Sequence, residues 1–205
     1  MRYLILLAFI LLAKHSIGQG NDILQYKKHF DRELKLWTNT FNNFNLSNFE
    51  ISDTLGFDNN NEQSFTKYKS FLSIYKPLVT YSFDSTQFLD IYSYQINLER
   101  KGNNYYANPD MDQAVFLCNP GLRYWNRIFF GTNSQWVDEV IWVSKTKFIL
   151  AGITKSSDDR KLPLILLGDT KSKKLEKYVT KDDSCYQNIK GYQSRKLKRL
   201  NITGL

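Results

Sequence analysis

Histidine is nearly absent from this chain of 205 residues, which contains only His15 and His29. Serine and cysteine nucleophiles ordinarily need a histidine base, and histidine-ligated zinc sites need several clustered ligands. His15 falls in the leader described below, and no partner marks His29 in the sequence. The sequence therefore predicts no metal site and no histidine-dependent nucleophile, and it indicates no cofactor.

Long apolar runs are also absent, because none reaches the roughly 20 residues that a transmembrane helix needs. The longest run covers residues 3–13 and follows Arg2. Ser16 and Gly18 then supply small residues at positions −3 and −1 of a cut before Gln19. This order is that of a secretory signal peptide. We therefore expect an exported protein, secreted or periplasmic, with no transmembrane segment after cleavage.

Removal of residues 1–18 as a signal peptide leaves residues 19–205, a length that suits a single domain. Within it, the residue pattern predicts a helical part over residues 19–77, a β part over residues 78–180 and a basic segment over residues 181–205. Tyrosine and phenylalanine together supply 27 residues, which favours strands because flat rings pack well on pleated surfaces. The predicted fold class is α+β.

Two helices are predicted in the helical part. Apolar residues recur at spacings of three and four from Ile23 to Phe44, which indicates one amphipathic helix of about six turns. Such a stripe suits a helix packed across a sheet, and it also suits a coiled-coil seam that holds a dimer. Residues 45–63 are rich in Asn, Asp and Ser and predict a loop. A shorter helix is predicted over residues 65–75, ended by Pro77.

The predicted β part contains two segments with the same pattern. Residues 81–91 align with residues 141–151 as strand, polar turn and strand. Residues 115–119 align with residues 165–169 as an apolar strand that ends in Asn or Asp, and a turn and another strand follow each. We therefore expect two related units of four antiparallel strands.

This four-strand unit resembles one blade of a β-propeller over about residues 78–180. The Gly-His and Trp-Asp signatures of WD40 blades are missing, and two blades do not close a ring. The resemblance implies two blade-like sheets that pack face to face or merge, with the two N-terminal helices packed on them. The chain also resembles uncharacterised exported bacterial proteins, a resemblance that implies no activity.

Asp90, Asp138 and Glu139 are the candidate catalytic residues, because glycoside hydrolysis needs two carboxyl groups and aromatic surfaces to hold the sugar. Asp90 interrupts an apolar row, where a buried carboxyl needs hydrogen bonds or a cation such as Arg127. Asp138 and Glu139 are neighbours on a predicted strand and should face opposite sides of the sheet. On that reasoning the two do not form one acid–base pair.

Candidate binding residues are aromatic or basic. Tyr105 and Trp136 flank predicted turns and are expected on the surface, where they would stack on a sugar or contact a protein. Residues 145–205 carry 15 Lys and Arg against 6 Asp and Glu, whereas residues 19–144 carry 11 against 14. Such a basic block binds an anionic partner, or it is the solvated side of edge strands. Export argues against nucleic acid. The basic candidates near the end of the chain are Arg195, Lys196, Lys198 and Arg199.

Cys118 and Cys185 are the only cysteines. An even count in an oxidising compartment predicts a disulfide between them. Alternatively, Cys118 is a small core residue, because it ends an apolar strand.

The leading functional hypothesis is an exported, non-catalytic module that binds a protein or an anionic envelope polymer. The alternative is a small carbohydrate-active hydrolase that uses Asp90, Asp138 or Glu139. Two carboxyl groups lining one open aromatic cleft would favour the enzyme, and carboxyl groups scattered on turns would favour the module.

Overall fold

The structure is a computed structural model that describes residues 22–57, 62–64, 67–188, 192–200 and 202–204. The predicted signal peptide and its cut before Gln19 lie outside these residues. Within the described ranges, no helix is both long enough and apolar enough to cross a membrane.

The described chain is mostly antiparallel strand with a few short helices, which confirms a β-rich α+β fold. The strands are β1 (Phe49–Gly56), β2 (Glu62–Ser64), β3 (Thr80–Tyr81), β4 (Phe88–Asp90), β5 (Ile96–Lys101), β6 (Asn104–Pro109), β7 (Gln113–Asn119), β8 (Tyr124–Gly131), β9 (Gln135–Trp142), β10 (Lys147–Lys155), β11 (Lys161–Asp169), β12 (Lys174–Thr180) and β13 (Ile202–Thr203). The α-helices are α1 (Lys27–Arg32), α2 (Lys35–Thr38), α3 (Tyr68–Tyr75) and α4 (Arg195–Lys198).

The prediction of one continuous helix over residues 23–44 is wrong, because the helical segment is broken into short pieces. A 3₁₀ turn over Asp22–Tyr26 precedes α1, and a break at Glu33 and Leu34 separates α1 from α2. The apolar stripe is nevertheless buried almost throughout. Turns of three and of nearly four residues both return side chains to the same side, so the spacing predicts the buried side without fixing the type of helix. The second predicted helix is confirmed as α3.

The loop predicted over residues 45–63 is wrong in part, because β1 lies within it and β2 begins in it. β1 pairs along its length with β12, yet seven of its eight residues are exposed. Backbone pairing at the edge of a sheet forms this strand without a buried apolar row. Its apolar residues Phe49, Ile51 and Leu55 do alternate, but Asp53 interrupts the row and the neighbouring residues are rich in Asn, Asp and Ser, so the strand was not recognised.

Two five-stranded sheets have the same strand order. Sheet 1 is β1-β12-β11-β10-β9 and sheet 2 is β2-β8-β7-β4-β3. In sheet 1, Phe148 lies opposite Gly168. In sheet 2, Phe88 lies opposite Cys118. These two pairs are the ones that the sequence alignment places together.

The first hairpins of the two sheets depart from that alignment by one residue. Trp142 lies opposite Phe148, whereas Tyr81 lies opposite Phe88. The turn between β3 and β4 is therefore one residue longer than the turn between β9 and β10. The residue that corresponds to Tyr81 by register is Trp142 and not Ile141.

Sheets 1 and 2 share one hydrophobic core. It contains Leu89, Val115 and Leu117 from sheet 2 together with Phe148, Leu150, Leu166 and Leu175 from sheet 1. Alternate residues of β10, such as Ile149 and Ala151, point away from this core and pack on Phe30, Leu34 and Trp37 of the N-terminal helical segment. The outer side of sheet 2 packs on α3. Helical segments thus cover the outer sides of both sheets.

A third sheet was not predicted. The β5–β6 hairpin is inserted between β4 and β7, and β13 pairs with β6 in parallel. The Tyr75 hydroxyl ties it to α3, since it donates to the carbonyl oxygen of Ile96 (2.8 Å) and accepts from the backbone N–H of Leu98 (3.0 Å). We call this sheet sheet 3. Its strands β5 and β6 border the pocket described below.

The predicted disulfide is wrong, because Cys118 and Cys185 are both free and buried. Cys118 packs with Phe88 on the outer side of sheet 2, whereas Cys185 belongs to the cluster between sheet 1 and the N-terminal segment. Burial raises the pKa of Cys185 to about 11 and raises that of Cys118 as well. The number of cysteines in the sequence does not indicate that the two side chains lie in different clusters.

Candidate functional site

A segment near the end of the sequence, the strap (residues 192–200), brings several predicted residues together. The Tyr192 hydroxyl donates a hydrogen bond to Glu139 Oε1 (2.6 Å). The Tyr92 hydroxyl donates to Ser194 Oγ (2.5 Å), and Ser194 in turn caps α4. The strap is therefore fixed both to β9 and to the turn that follows β4.

Lys196 anchors the strap to sheet 2. Its amine donates to the backbone oxygens of Leu78 (3.0 Å) and Val79 (2.8 Å). It also donates to the Thr80 hydroxyl. Burial lowers the pKa of Lys196 to about 8, and the nearby Glu139 carboxylate opposes this shift. Lys196, which the sequence analysis predicted to be a surface cation for a partner, is thus partly buried and hydrogen-bonded to internal acceptors.

β9 contains a β-bulge at Asp138. Val137 lies opposite Gly152 on β10. Glu139 lies opposite Ala151, the preceding residue, which leaves Asp138 as the extra residue of the bulged strand. Side chains do not alternate regularly through a bulge. The rule that predicted opposite orientations for Asp138 and Glu139 therefore does not apply at this position.

The Asp138 carboxyl is enclosed by two indoles. Its Oδ1 accepts a hydrogen bond from Trp136 Nε1 (3.1 Å). Its Oδ2 and Trp37 Nε1 are both buried without a hydrogen-bond partner, although Trp37 lies close enough to lower the pKa of this carboxyl. Burial is the larger influence and raises the pKa of Asp138 to about 7. Burial therefore favours the protonated form of the Asp138 carboxyl up to near neutral pH.

Glu139 is the second carboxyl of the bulge. Burial raises its pKa, and the hydrogen bond from Tyr192 and the charges of Lys196 and Arg195 oppose that shift. The charge on Glu139 also raises the pKa of Asp138. Both acids therefore belong to one electrostatic cluster, in which Glu139 is already hydrogen-bonded by the strap.

Asp90 holds a turn. Its carboxyl accepts the backbone N–H groups of Tyr92 and Ser93, both at 3.0 Å, and the Ser93 hydroxyl. Burial raises its pKa, and Lys196 supplies the nearby positive charge that the sequence analysis expected from Arg127. Asp90 is fully buried. It does not line the pocket described next, so its place in the fold is structural.

A pocket of about 230 Å³ lies beside the strap, the β9 bulge and the end of sheet 3. Its lining combines aromatic, hydroxyl, carboxamide and aliphatic groups: Tyr92, Gln95, Ile96, Pro109, Trp136, Val137, Asp138, Tyr192, Gln193, Ser194 and Leu197. A larger groove of about 700 Å³ lies along the N-terminal helical segment. That groove contains none of the predicted site residues.

The two predicted surface aromatics separate in the structure. Trp136 is partly exposed and lines the pocket, with Lys161 Nζ 5.2 Å from the centre of its ring. Tyr105 is buried in the common core with only 8% of its surface exposed. The expected surface position of Tyr105 is therefore wrong, because β6 turns its side chain inward.

The remaining basic candidates form one exposed side of α4 and of Arg199, the residue that ends it. Arg195, Lys198 and Arg199 are exposed and follow the spacing i, i+3, i+4, which places side chains on one side of a helix. None of the three forms an ion pair with another described residue. We call these three residues the basic face.

No family model, curated protein or solved structure matches the chain. The site must therefore be interpreted from its own geometry.

Sequence reasoning missed several residues that build this site. Gln113 is buried and binds both edges of it: its Nε2 donates to the carbonyl oxygens of Ile91 and Val137, each at 2.9 Å. Its Oε1 accepts the backbone N–H of Val137 at 2.7 Å. A single Gln on an apolar strand was the available signal. Tyr92 and Tyr192 gave none, because their partners are distant in sequence.

Proposed function

We propose that the chain is an exported, non-catalytic module that binds an anionic envelope polymer through the basic face. The proposal is supported by the two different environments of the side chains on and beside α4. Lys196 and Leu197 anchor the helix to the protein, while Arg195, Lys198 and Arg199 point to solvent.

A fixed helix presents its cations at lower entropic cost than a free tail does, because the backbone is already ordered. The basic face also lies in the region with the largest excess of positive charge, residues 145–205. Exposed cations attract an extended anionic partner over about a Debye length, roughly 8–10 Å at physiological salt. A polyanion therefore suits this face.

A protein partner is less well supported. Protein interfaces usually have an apolar centre rich in aromatic side chains. Within the described residues, the large exposed hydrophobic side chains lie on other segments, such as Phe83, Met111 and Leu122, and none lies on the strap.

The hydrolase alternative is also less well supported. Of the three candidate carboxyls in the described structure, only Asp138 lines the pocket. Asp90 is enclosed by its own turn, and Glu139 accepts a hydrogen bond from Tyr192. A glycosidase needs two carboxyls facing one substrate, so the binding module is the better interpretation.

A heparin column tests the proposal, with heparin as the anionic polysaccharide probe. The variant R195Q/K198Q/R199Q should elute at lower salt than the unmodified protein and bind roughly tenfold more weakly, because each exposed charge pair contributes about 0.2–1 kcal/mol. The matched control K28Q/R32Q/K35Q removes three exposed cations from the N-terminal helical segment and should elute much closer to the unmodified protein. Equal losses in both variants, or no retention of the unmodified protein, would contradict the proposal.

We also propose that sheets 1 and 2 are copies of one blade-like unit. The shared strand order and the matched pairs Phe148–Gly168 and Phe88–Cys118 support this relationship. The β5–β6 hairpin is then an insertion in one copy, and it supplies part of the wall of the pocket.

A further inference from the structure

We infer that the pocket beside the strap is a subsite for one neutral sugar ring of the bound polymer. This inference rests on the proposed function, since it names the polymer as a polysaccharide. It follows from the charge, lining, size and position of the pocket.

The charge around the pocket favours a neutral ligand. Lys161 acts on Asp138 as an opposite charge, and Lys196 and Arg195 act in the same way on Glu139. A cationic ligand would therefore find each carboxyl already compensated. An anionic group inside the pocket would lie beside the buried Asp138 carboxyl, where loss of water disfavours an uncompensated charge of either sign.

The lining suits a ligand that is apolar on its faces and polar at its rim. Tyr92, Trp136 and Tyr192 supply aromatic surfaces, whose negative faces attract weakly positive C–H groups. Gln193 adds a hydrogen-bonding carboxamide. Gln193 is partly exposed and lines the pocket, which places its carboxamide within reach of a ligand there. A sugar ring carries C–H faces and a rim of hydroxyl groups.

The size of the pocket limits the ligand to one ring. About 230 Å³ is below the roughly 300–1,000 Å³ typical of sites for drug-sized ligands. An oligosaccharide would therefore have to continue outside the pocket.

The position of the pocket provides that continuation. Ser194 and Leu197 line it, and they alternate along the strap with the exposed Arg195 and Lys198. One ring in the pocket therefore places the next residues of its polymer beside the basic face. A neutral ring followed by anionic groups is the pattern that this surface fits.

Saturation-transfer NMR with glucose, galactose and N-acetylglucosamine tests the subsite directly. At least one of these neutral sugars should receive saturation from the protein, and glucosamine, which carries an amine charge below its pKa, should receive at least fivefold less at pH 6 than the neutral sugar with the strongest signal. No transfer to any neutral sugar would overturn the inference, and so would equal transfer to glucosamine.

Variants of the pocket locate the signal. Q193L removes a hydrogen-bonding group of the lining and W136A removes an aromatic surface; both should abolish the transfer. N97L is the control, because Asn97 is an exposed carboxamide on β5 outside the pocket. A thermal melt of each variant verifies folding, and Q193L tests the inference even where W136A unfolds the protein. Transfer that persists in a folded Q193L variant would overturn the subsite.

These experiments test the subsite and the basic face independently. R195Q/K198Q/R199Q should bind heparin more weakly and keep the sugar signal. Absence of the sugar signal with normal heparin retention overturns the subsite alone, whereas absence of heparin retention overturns the proposed function.

Discussion

Replacement of Gly152 by alanine is expected to lower the free energy of unfolding by about 3 kcal/mol or more. A Cβ at this position would lie 1.9 Å from the carbonyl oxygen of Trp136 and 2.7 Å from the Cα of Val137. Both atoms are backbone, so no side-chain rotation relieves the contact. Denaturant unfolding of G152A measures the effect.

Gly56 provides the matched control, because an added Cβ there meets no atom within 4 Å. G56A should change the free energy of unfolding by less than about 0.5 kcal/mol, in the range of surface substitutions. A loss below about 1 kcal/mol in G152A would show that the bulge tolerates a side chain. It would contradict the close packing of β9 on β10 that positions Asp138.

Asp138→Asn is expected to act in the opposite direction and to stabilise the protein at alkaline pH. Burial raises the pKa of Asp138 from 3.8 to about 7, so the folded state binds this proton more tightly than the unfolded state. The stability of the unmodified protein therefore falls as the pH rises from about 4 to about 7. A shift of about three pKa units corresponds to about 4 kcal/mol. Asparagine avoids this penalty and retains an oxygen that accepts the Trp136 N–H.

Unfolding free energies at pH 8 and pH 4.5 measure this effect. D138N should be more stable than the unmodified protein by about 2–4 kcal/mol at pH 8, and most of the difference should disappear at pH 4.5. D183N, which alters an exposed carboxyl, should show little change at either pH. Equal stability of D138N and the unmodified protein at pH 8 would mean that Asp138 is not in a desolvated site.

The spacing of apolar residues predicted much of the fold, because apolar residues recur at the positions of each element that face the core. The row from Ile23 to Trp37 is buried as expected even though its helix is broken. The strands that carry Phe88 and Phe148 were also predicted, since both residues lie in short apolar runs bounded by turns. These features depend on side-chain hydrophobicity that each segment displays locally.

The site was less predictable because it depends on backbone features and distant contacts. The bulge at Asp138 requires Gly152 on the neighbouring strand, and no local pattern links these residues. In the strap, Tyr192 bonds to Glu139 and Ser194 accepts a hydrogen bond from Tyr92. The two partners of each bond are far apart in sequence. The candidate carboxyls were thus identified by type, whereas their roles depend on tertiary structure.

Hydrogen–deuterium exchange with and without heparin locates the binding surface most directly. We expect slower exchange in peptides that cover the strap, residues 192–200, because bound polymer would hold α4 against local opening. Peptides that cover residues 22–38, which carry the control cations, should be unchanged. Protection of the N-terminal helical segment or of β12 with no change in the strap would contradict binding at the basic face.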